Sequence, residues 1–306
     1  MANPVCLSPL KFYDSLKKQE RYKSYAYGNI SPVIMPFNVL YPFQFVLNSK
    51  DSHIIDAFIC DAKINSKVGG SIMSQLNDDG LAHKDINGFR VVMFPGLFPL
   101  QSIENEGEYY LELHSDNKNI YYSEVFCFTN ALDGYLELEY WNPESDFYIK
   151  NGIITFANNF RFKILIRSEL GKPEYSFEEE ATKRLGYNFI ESQVSKKIYK
   201  FNAVLPEYLC DALRVIRLCS NKTLANKGEI YEMLTFEMDV GWQDQGDLAS
   251  VSCEFEVDNI IANLGGFEYE NHTNTDFDNS YNNDFNTNAV IGFRDFDNSF
   301  NNDFNI

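Results

Sequence analysis

The chain reads as mainly β with an α+β part: a β-sandwich followed by an antiparallel α+β domain with one packed helix, and extended arms at both ends. Three observations predict this. Short runs of aromatic and β-branched residues separated by turn chemistry occupy residues 41–130. Runs with strict period-two alternation occupy 131–265, and one stripe of apolar residues at helical spacing interrupts them. The composition supports a folded body: of 306 residues, 44% are hydrophobic and 15% aromatic, too apolar for a disordered chain.

In chain order, residues 1–40 are rich in Tyr and punctuated by Pro. Lys11, Lys17, Lys18, Arg21 and Lys23 there outnumber Asp14 and Glu20, making a basic arm in a protein of net charge −18. The sandwich signals follow at YPFQFVL, IIDAFICDAKI, GFRVVMF, GEYYLEL and IYYSEVFCF, with VGG, NDDG, DING, NEG and SDNKN between them as turns. Tyr109, Leu111 and Leu113 alternate with Tyr110, Glu112 and His114, the period of a half-buried strand. The spacing Asn105, Gly107, Tyr109, Leu111 resembles the DxGxYxC signature of immunoglobulin-like domains, in which the Tyr makes a corner before the penultimate strand. The sandwich over 41–130 is therefore expected to be immunoglobulin-like, with Leu111 in place of the usual Cys and no disulfide implied.

In the α+β domain, 131–265, Leu136, Leu138 and Tyr140 alternate with Glu137 and Glu139, and Phe160, Phe162, Ile164 and Ile166 with Arg161, Lys163 and Arg167. Val251, Cys253, Phe255 and Val257 alternate with Ser252, Glu254 and Glu256. The helix is expected to start with Pro206 at its first position and to bury Leu209, Ala212, Leu213 and Ile216. From 266 to 306 the chain is a low-complexity Asn/Phe/Asp tail. DFDNSYNNDFN at 276–286 recurs at 295–305 as DFDNSFNNDFN. As a strand, each copy puts Phe277, Tyr281, Phe285, and then Phe296, Phe300, Phe304, on one face. Asp276, Asp278, Asp284 and their counterparts Asp295, Asp297, Asp303 fall on the other. Two readings of the tail stay open: an ordered arm laid against a neighbouring subunit, or a solubilising tail without structure.

Function classes narrow by exclusion. The acidic charge excludes sequence-independent nucleic-acid binding. No GxSxG elbow, HExxH, Walker loop or dinucleotide fingerprint occurs, and the four His (53, 83, 114, 272) are isolated, so no enzyme, catalytic residue, metal or cofactor is expected. Glu137 and Glu139 read as a solvated strand face rather than a catalytic pair. The tail's alternating oxygen ligands lack the Gly of a calcium loop, and Thr287 stands where its Glu belongs. Cys6, Cys60, Cys127, Cys210, Cys219 and Cys253 have no metal or redox spacing and read as small apolar fillers of a reduced compartment. No run reaches membrane-helix length, so no membrane insertion is expected.

The stretches GEYYLELHSDNKNIYYSEVFCF, ELGKPEYSFEEEATKRLGYNFIESQVSKKIYKFNAVLPEYLCDALRVIRL and WQDQGDLASVSCEFEVD resemble structural proteins of tailed phages and prophages of Bacteroidetes, including crAss-like phages. The resemblance covers most of residues 40–265. It implies a virion component of tail, baseplate or neck, made in a bacterial host cytoplasm and working by assembly into a ring with itself and other virion proteins. The assembly residues expected are the tail aromatics and acids and Lys17, Lys18 and Arg21. The alternative is a glycan- or receptor-binding, adhesin-like module that stacks sugars on Tyr121, Tyr122, Tyr140 or Trp141.

Overall fold

The computed structural model describes residues 5–18, 33–48, 50–76, 80–86, 88–143, 152–156, 160–184, 187–242 and 248–263. Residues 1–180 and 192–262 form one compact unit. Residues 181–191 with 263–306 form a second, described at 181–184, 187–191 and 263.

The first half of the chain runs β1 (Val5–Cys6), β2 (Phe12–Asp14), β3 (Val33–Pro36), β4 (Phe43–Val46), β5 (Ile54–Asp61) and β6 (Ser66–Lys67). It continues with β7 (Ala82–Ile86), β8 (Phe89–Phe94), β9 (Gly107–Ser115), β10 (Ile120–Ser123) and β11 (Phe126–Thr129). These strands make an immunoglobulin-like sandwich. One sheet has the order β4-β8-β7. The other is built around β9, which pairs antiparallel with β5 along one edge and with β10 and then β11 along the other. Glu124 and Val125 break the run between β10 and β11. The outer neighbours are β2, antiparallel to β10, and β3, parallel to β11.

The alternation read from the sequence decides which face is buried. Tyr109, Leu111 and Leu113 join Ala57, Ile59, Phe126 and Phe128 in the main hydrophobic cluster, against Phe43, Phe45, Val92 and Phe94 of the facing sheet. Tyr109 makes the corner its spacing announced: its hydroxyl donates to the backbone carbonyl of Asn105 at 2.8 Å. Leu111 occupies the place of the usual half-cystine, with no accessible surface, and its partner across the ladder is Ile59. Packing replaces the disulfide, and all six Cys are free. At Gly96, φ is +84°, and a Cβ there would lie 2.6 Å from the carbonyl oxygen of Leu40, so the bridge between Leu40 and Leu97 needs glycine beside it.

The second half contains β12 (Tyr135–Trp141), β13 (Gly152–Ile153), β14 (Phe162–Arg167), β15 (Glu174–Arg184) and β16 (Tyr187–Pro206). Then come α1 (Glu207–Leu218), β17 (Asn221–Asn226), β18 (Glu229–Glu232), β19 (Glu237–Trp242) and β20 (Leu248–Asn263). Two four-stranded sheets result, ordered β14-β12-β17-β18 and β15-β16-β20-β19. Leu136, Leu138 and Tyr140 of β12 lie opposite Ile166, Ile164 and Phe162 of β14, and all six are buried. From α1, Tyr208, Leu209, Cys210, Ala212, Leu213, Val215 and Ile216 are buried, a wider stripe than the four positions expected. Among the described residues no helix is long and apolar enough to cross a membrane.

Three features differ from the sequence reading. Residues 12–14 and 33–36, read as part of a terminal arm, are strands of the sandwich, because the edge of β10 and β11 offers backbone groups for them to pair with. Pro206 is extended (φ −71°, ψ 159°) and precedes the helix, which begins at Glu207. The hydrophobic cluster is continuous across residue 130. Removing one hydroxyl tests the corner. Tyr109→Phe keeps the buried ring and loses the bond to Asn105, so urea unfolding is expected to show a loss of about 1 kcal/mol with an unchanged denaturant slope.

Candidate assembly surface

The sheet β15-β16-β20-β19 has two faces of opposite character. On β16, Tyr199, Phe201, Ala203 and Leu205 point into the core, and on β20 Ala249, Val251, Cys253 and Phe255 do the same. The opposite face is a charge ladder. Lys200 Nζ lies 2.6 Å from Glu174 Oε2 on β15 and 3.3 Å from Glu254 Oε2 on β20. Lys196 Nζ lies 2.6 Å from Glu178 Oε1 and 3.8 Å from Glu256 Oε1. Lys196 and Lys200 of the central strand are thus each held between carboxylates of both neighbours, and these hydrogen bonds raise both ammonium pKa values. The ladder fixes register, because a slip of one residue would move every charge onto the core face.

That register places Tyr175 and Phe177 opposite in parity to Glu174 and Glu178, on the same face as Tyr199 and Phe255. There the cover has run out: Tyr175 is 63% and Phe177 74% exposed. Ile260 and Ile261, near the far end of β20, are 66% and 63% exposed. β15 is also the edge of its sheet, and no residue of it from 174 to 183 is buried. A long edge strand with uncovered aromatics offers both an apolar surface and a row of backbone groups to a partner. The sequence reading missed this surface. The signal was there in EYSFEEE, where two aromatics alternate with Glu174, Ser176 and Glu178.

The residues the sequence did nominate are distributed otherwise. Phe277, Tyr281, Phe285, Phe296, Phe300, Phe304, Asp276, Asp278, Asp284 and Arg21 lie outside the described residues, as do the calcium-like spacing and His272. Lys17 is exposed in a 3-10 turn at 15–18, its backbone N–H donating to Asp14 Oδ1 at 3.1 Å. Lys18 is half-buried on the outer face of the sandwich, with Nζ 4.2 Å from the centre of the Tyr122 ring and 5.8 Å from that of Tyr110. Beneath it Cys60, Tyr110, Tyr122 and Val125 form a second, small hydrophobic cluster. At its margin Glu112 takes His114 Nε2 at 2.7 Å and Lys67 Nζ at 3.0 Å.

The sugar-stacking candidates are corrected by burial: Tyr121, Tyr122 and Tyr140 have 6%, 8% and 0% exposure and present no ring face to a ligand. Tyr140 lies on the buried face of β12 that its alternation with Glu137 and Glu139 marks, whereas the adjacent Tyr121 and Tyr122 are both buried because both faces of β10 are covered, which alternation alone does not reveal. Trp141 is partly buried, with the Arg161 guanidinium 4.1 Å over its ring. Glu137 and Glu139 are not a bare solvated face either. Lys163 Nζ bridges them at 2.8 and 3.4 Å, Arg161 pairs with Glu139 at 3.1 Å, and the Tyr41 hydroxyl donates to Glu137 at 2.7 Å.

Among the described residues no group of three His, Cys, Asp or Glu side chains is placed to hold a metal. Burial pushes the Cys60 and Cys210 thiols up to about 11 and those of Cys6, Cys219 and Cys253 to about 12, the opposite of nucleophile activation.

No family model matches the chain, and no curated protein matches it. A chain in the crystal structure of Dpr2 Ig1-Ig2 in complex with DIP-Theta Ig1-Ig3 aligns over 78% of this chain and 94% of its own length, at 8% identity and a TM-score of 0.15. The immunoglobulin-like assignment rests on the strand pairing and the Tyr109 corner.

The Glu112 cluster has a calculable acid response. Burial pushes this carboxyl up, but the hydrogen bonds and charges of His114 and Lys67 outweigh burial and leave it below the ordinary Glu value. A depressed folded-state value contributes stability that is complete above the unfolded pKa, about 4.3, and is lost as pH falls through the folded value. Urea unfolding of Glu112→Gln is therefore expected to show a smaller fall in stability below about pH 4.5 than the parent.

Proposed function

We propose that the chain is a non-enzymatic structural subunit that works by assembling with copies of itself, in a tail, baseplate or neck ring of the kind formed by the phage proteins it resembles. The observation that carries this reading is the open edge of β15. Tyr175 and Phe177 sit on the core-side face of the sheet and are 63% and 74% exposed, although Tyr199 and Phe255 on that face are buried. Solvated edges in monomers are blunted by charge, and on β15 the charges are dense from Glu178 onward, with Glu174 alone before them. Its first four residues present two aromatics, which makes them the place where a second chain gains most by adding to the sheet.

Interfaces of stable oligomers are enriched in buried aromatics, and a few such side chains dominate the binding energy. Sedimentation velocity over a concentration series tests the proposal. The wild type is expected to sediment as a discrete oligomer, and Tyr175→Asp with Phe177→Asp to move it toward monomer without changing its thermal unfolding by more than about 0.5 kcal/mol equivalent, since both sites are exposed. A wild type that stays monomeric throughout the series overturns the reading.

A further inference from the structure

A cavity of about 650 Å³ opens between the edge of the sandwich and the second half of the chain, lined by Ile34 of β3, Leu165 and Arg167 of β14, and Asn202, Ala203 and Leu205 of β16. Its floor is apolar, since Ile34, Leu165, Ala203 and Leu205 are all buried. Among the described residues that line it, Arg167 alone is charged. Among the described residues Arg167 has no carboxylate within ion-pair distance, whereas Arg90, Arg161, Arg214 and Arg217 each have one. Thr129, which also lines the cavity, is turned to an acid outside it, its hydroxyl donating to Glu106, which takes a second hydrogen bond from the Asn130 side chain. The pocket is thus built to take an aromatic or aliphatic side chain with a carboxylate beside it.

The chain itself carries such a ligand in duplicate. DFDNSYNNDFN and DFDNSFNNDFN, at 276–286 and 295–305, alternate Phe or Tyr with Asp and Asn, in a tail segment (267–306) that has eight acids and one Arg. We infer that one copy of this repeat occupies the Arg167 pocket, an aromatic ring on the apolar floor and an aspartate against the guanidinium. The duplication indicates where the partner lies. Each chain offers two copies of the motif for the one Arg167, so at least one copy is left to engage the Arg167 pocket of a second chain. A linked pair of weak motifs then acts with the effective concentration of its tether. This inference rests on the assembly reading for its purpose, but its chemistry is separable from it.

The test is fluorescence anisotropy with a labelled peptide of residues 276–286, titrated with full-length chain in which Asp276, Asp278, Asp284, Asp295, Asp297 and Asp303 are changed to Asn, so that its own tail competes weakly. Saturable binding is expected, weakened roughly fivefold to tenfold by Arg167→Glu, less by Arg167→Gln, and not by the control Lys84→Glu; it should also weaken as salt rises. Absence of saturable binding, or equal binding to Arg167→Glu and Lys84→Glu chains of native thermal stability, overturns the inference. If Arg167→Glu does not fold, Arg167→Gln and the salt series decide. An oligomer that forms without peptide binding overturns this inference alone. A monomeric wild type that binds the peptide through Arg167 leaves the pocket standing and removes the assembly reading.

Discussion

The second half of the molecule depends on one alternation, that of β16. From Tyr199 to Leu205 every second side chain enters the core, and the residues between them, from Lys196 through Lys200 to Val204, stand on the other face or in water. This single strand sets the direction in which β20 can present Ala249 to Phe255, and the height at which Pro206 turns the chain into α1. It also sets the point where the core ends. With the helix of Glu207–Leu218 covering only so much sheet, the apolar face continues onto β15, where Tyr175 and Phe177 are exposed. The open surface is a geometric remainder of the packed one.

How much of this was legible depended on whether a residue's burial is decided locally. Tyr109 was: an Asn, a Gly and a Tyr at fixed spacing specify a hydrogen bond four residues long, and the structure makes it. The apolar positions of β9, β12 and β20 were legible too, because one half of each alternation faces a core large enough to reward it. β7 (AHKDI) and β18 (EIYE), by contrast, are edge strands held by backbone pairing with β8 and β17. Such strands need only a neighbour with free N–H and C=O groups, and no side-chain pattern records that need. β2 and β3 pair at an edge in the same way, although Val33, Ile34 and Met35 of β3 also enter the core. The nominated tail residues fall outside the described part of the chain, and the surface that does stand open was hidden for a physical reason. Tyr175 and Phe177 carry the pattern of buried residues, and exposure is a property of what fails to cover them.

Charge divides along the same lines. Glu137 and Glu139 of β12, Glu174 and Glu178 of β15, and Glu254 and Glu256 of β20 are paired with lysines and Arg161 on adjacent strands, so much of the acidity of these sheets is organised into ladders that hold register. Such exposed pairs contribute little individually, and their value is positional. Against that background an arginine with no carboxylate partner among the described residues is the exception, and Arg167 sits where an exception has consequences, lining a cavity with buried apolar residues.

The two surfaces also bear on symmetry. A two-fold dimer uses the same patch twice, so every contact is self-complementary. A tail motif that enters a pocket is not self-complementary: the donor segment and the receiving cavity are different parts of the chain. Contacts of that kind are heterologous, and each subunit keeps a free donor for the next and a free pocket for the previous one until the rotation closes. The edge of β15 is a third element, able to pair with an edge of another copy in either sense. If the pocket contact sets the direction of growth and the β15 edge adds area to it, the assembly is a closed ring or an open helical row, and the rotation between neighbours decides which.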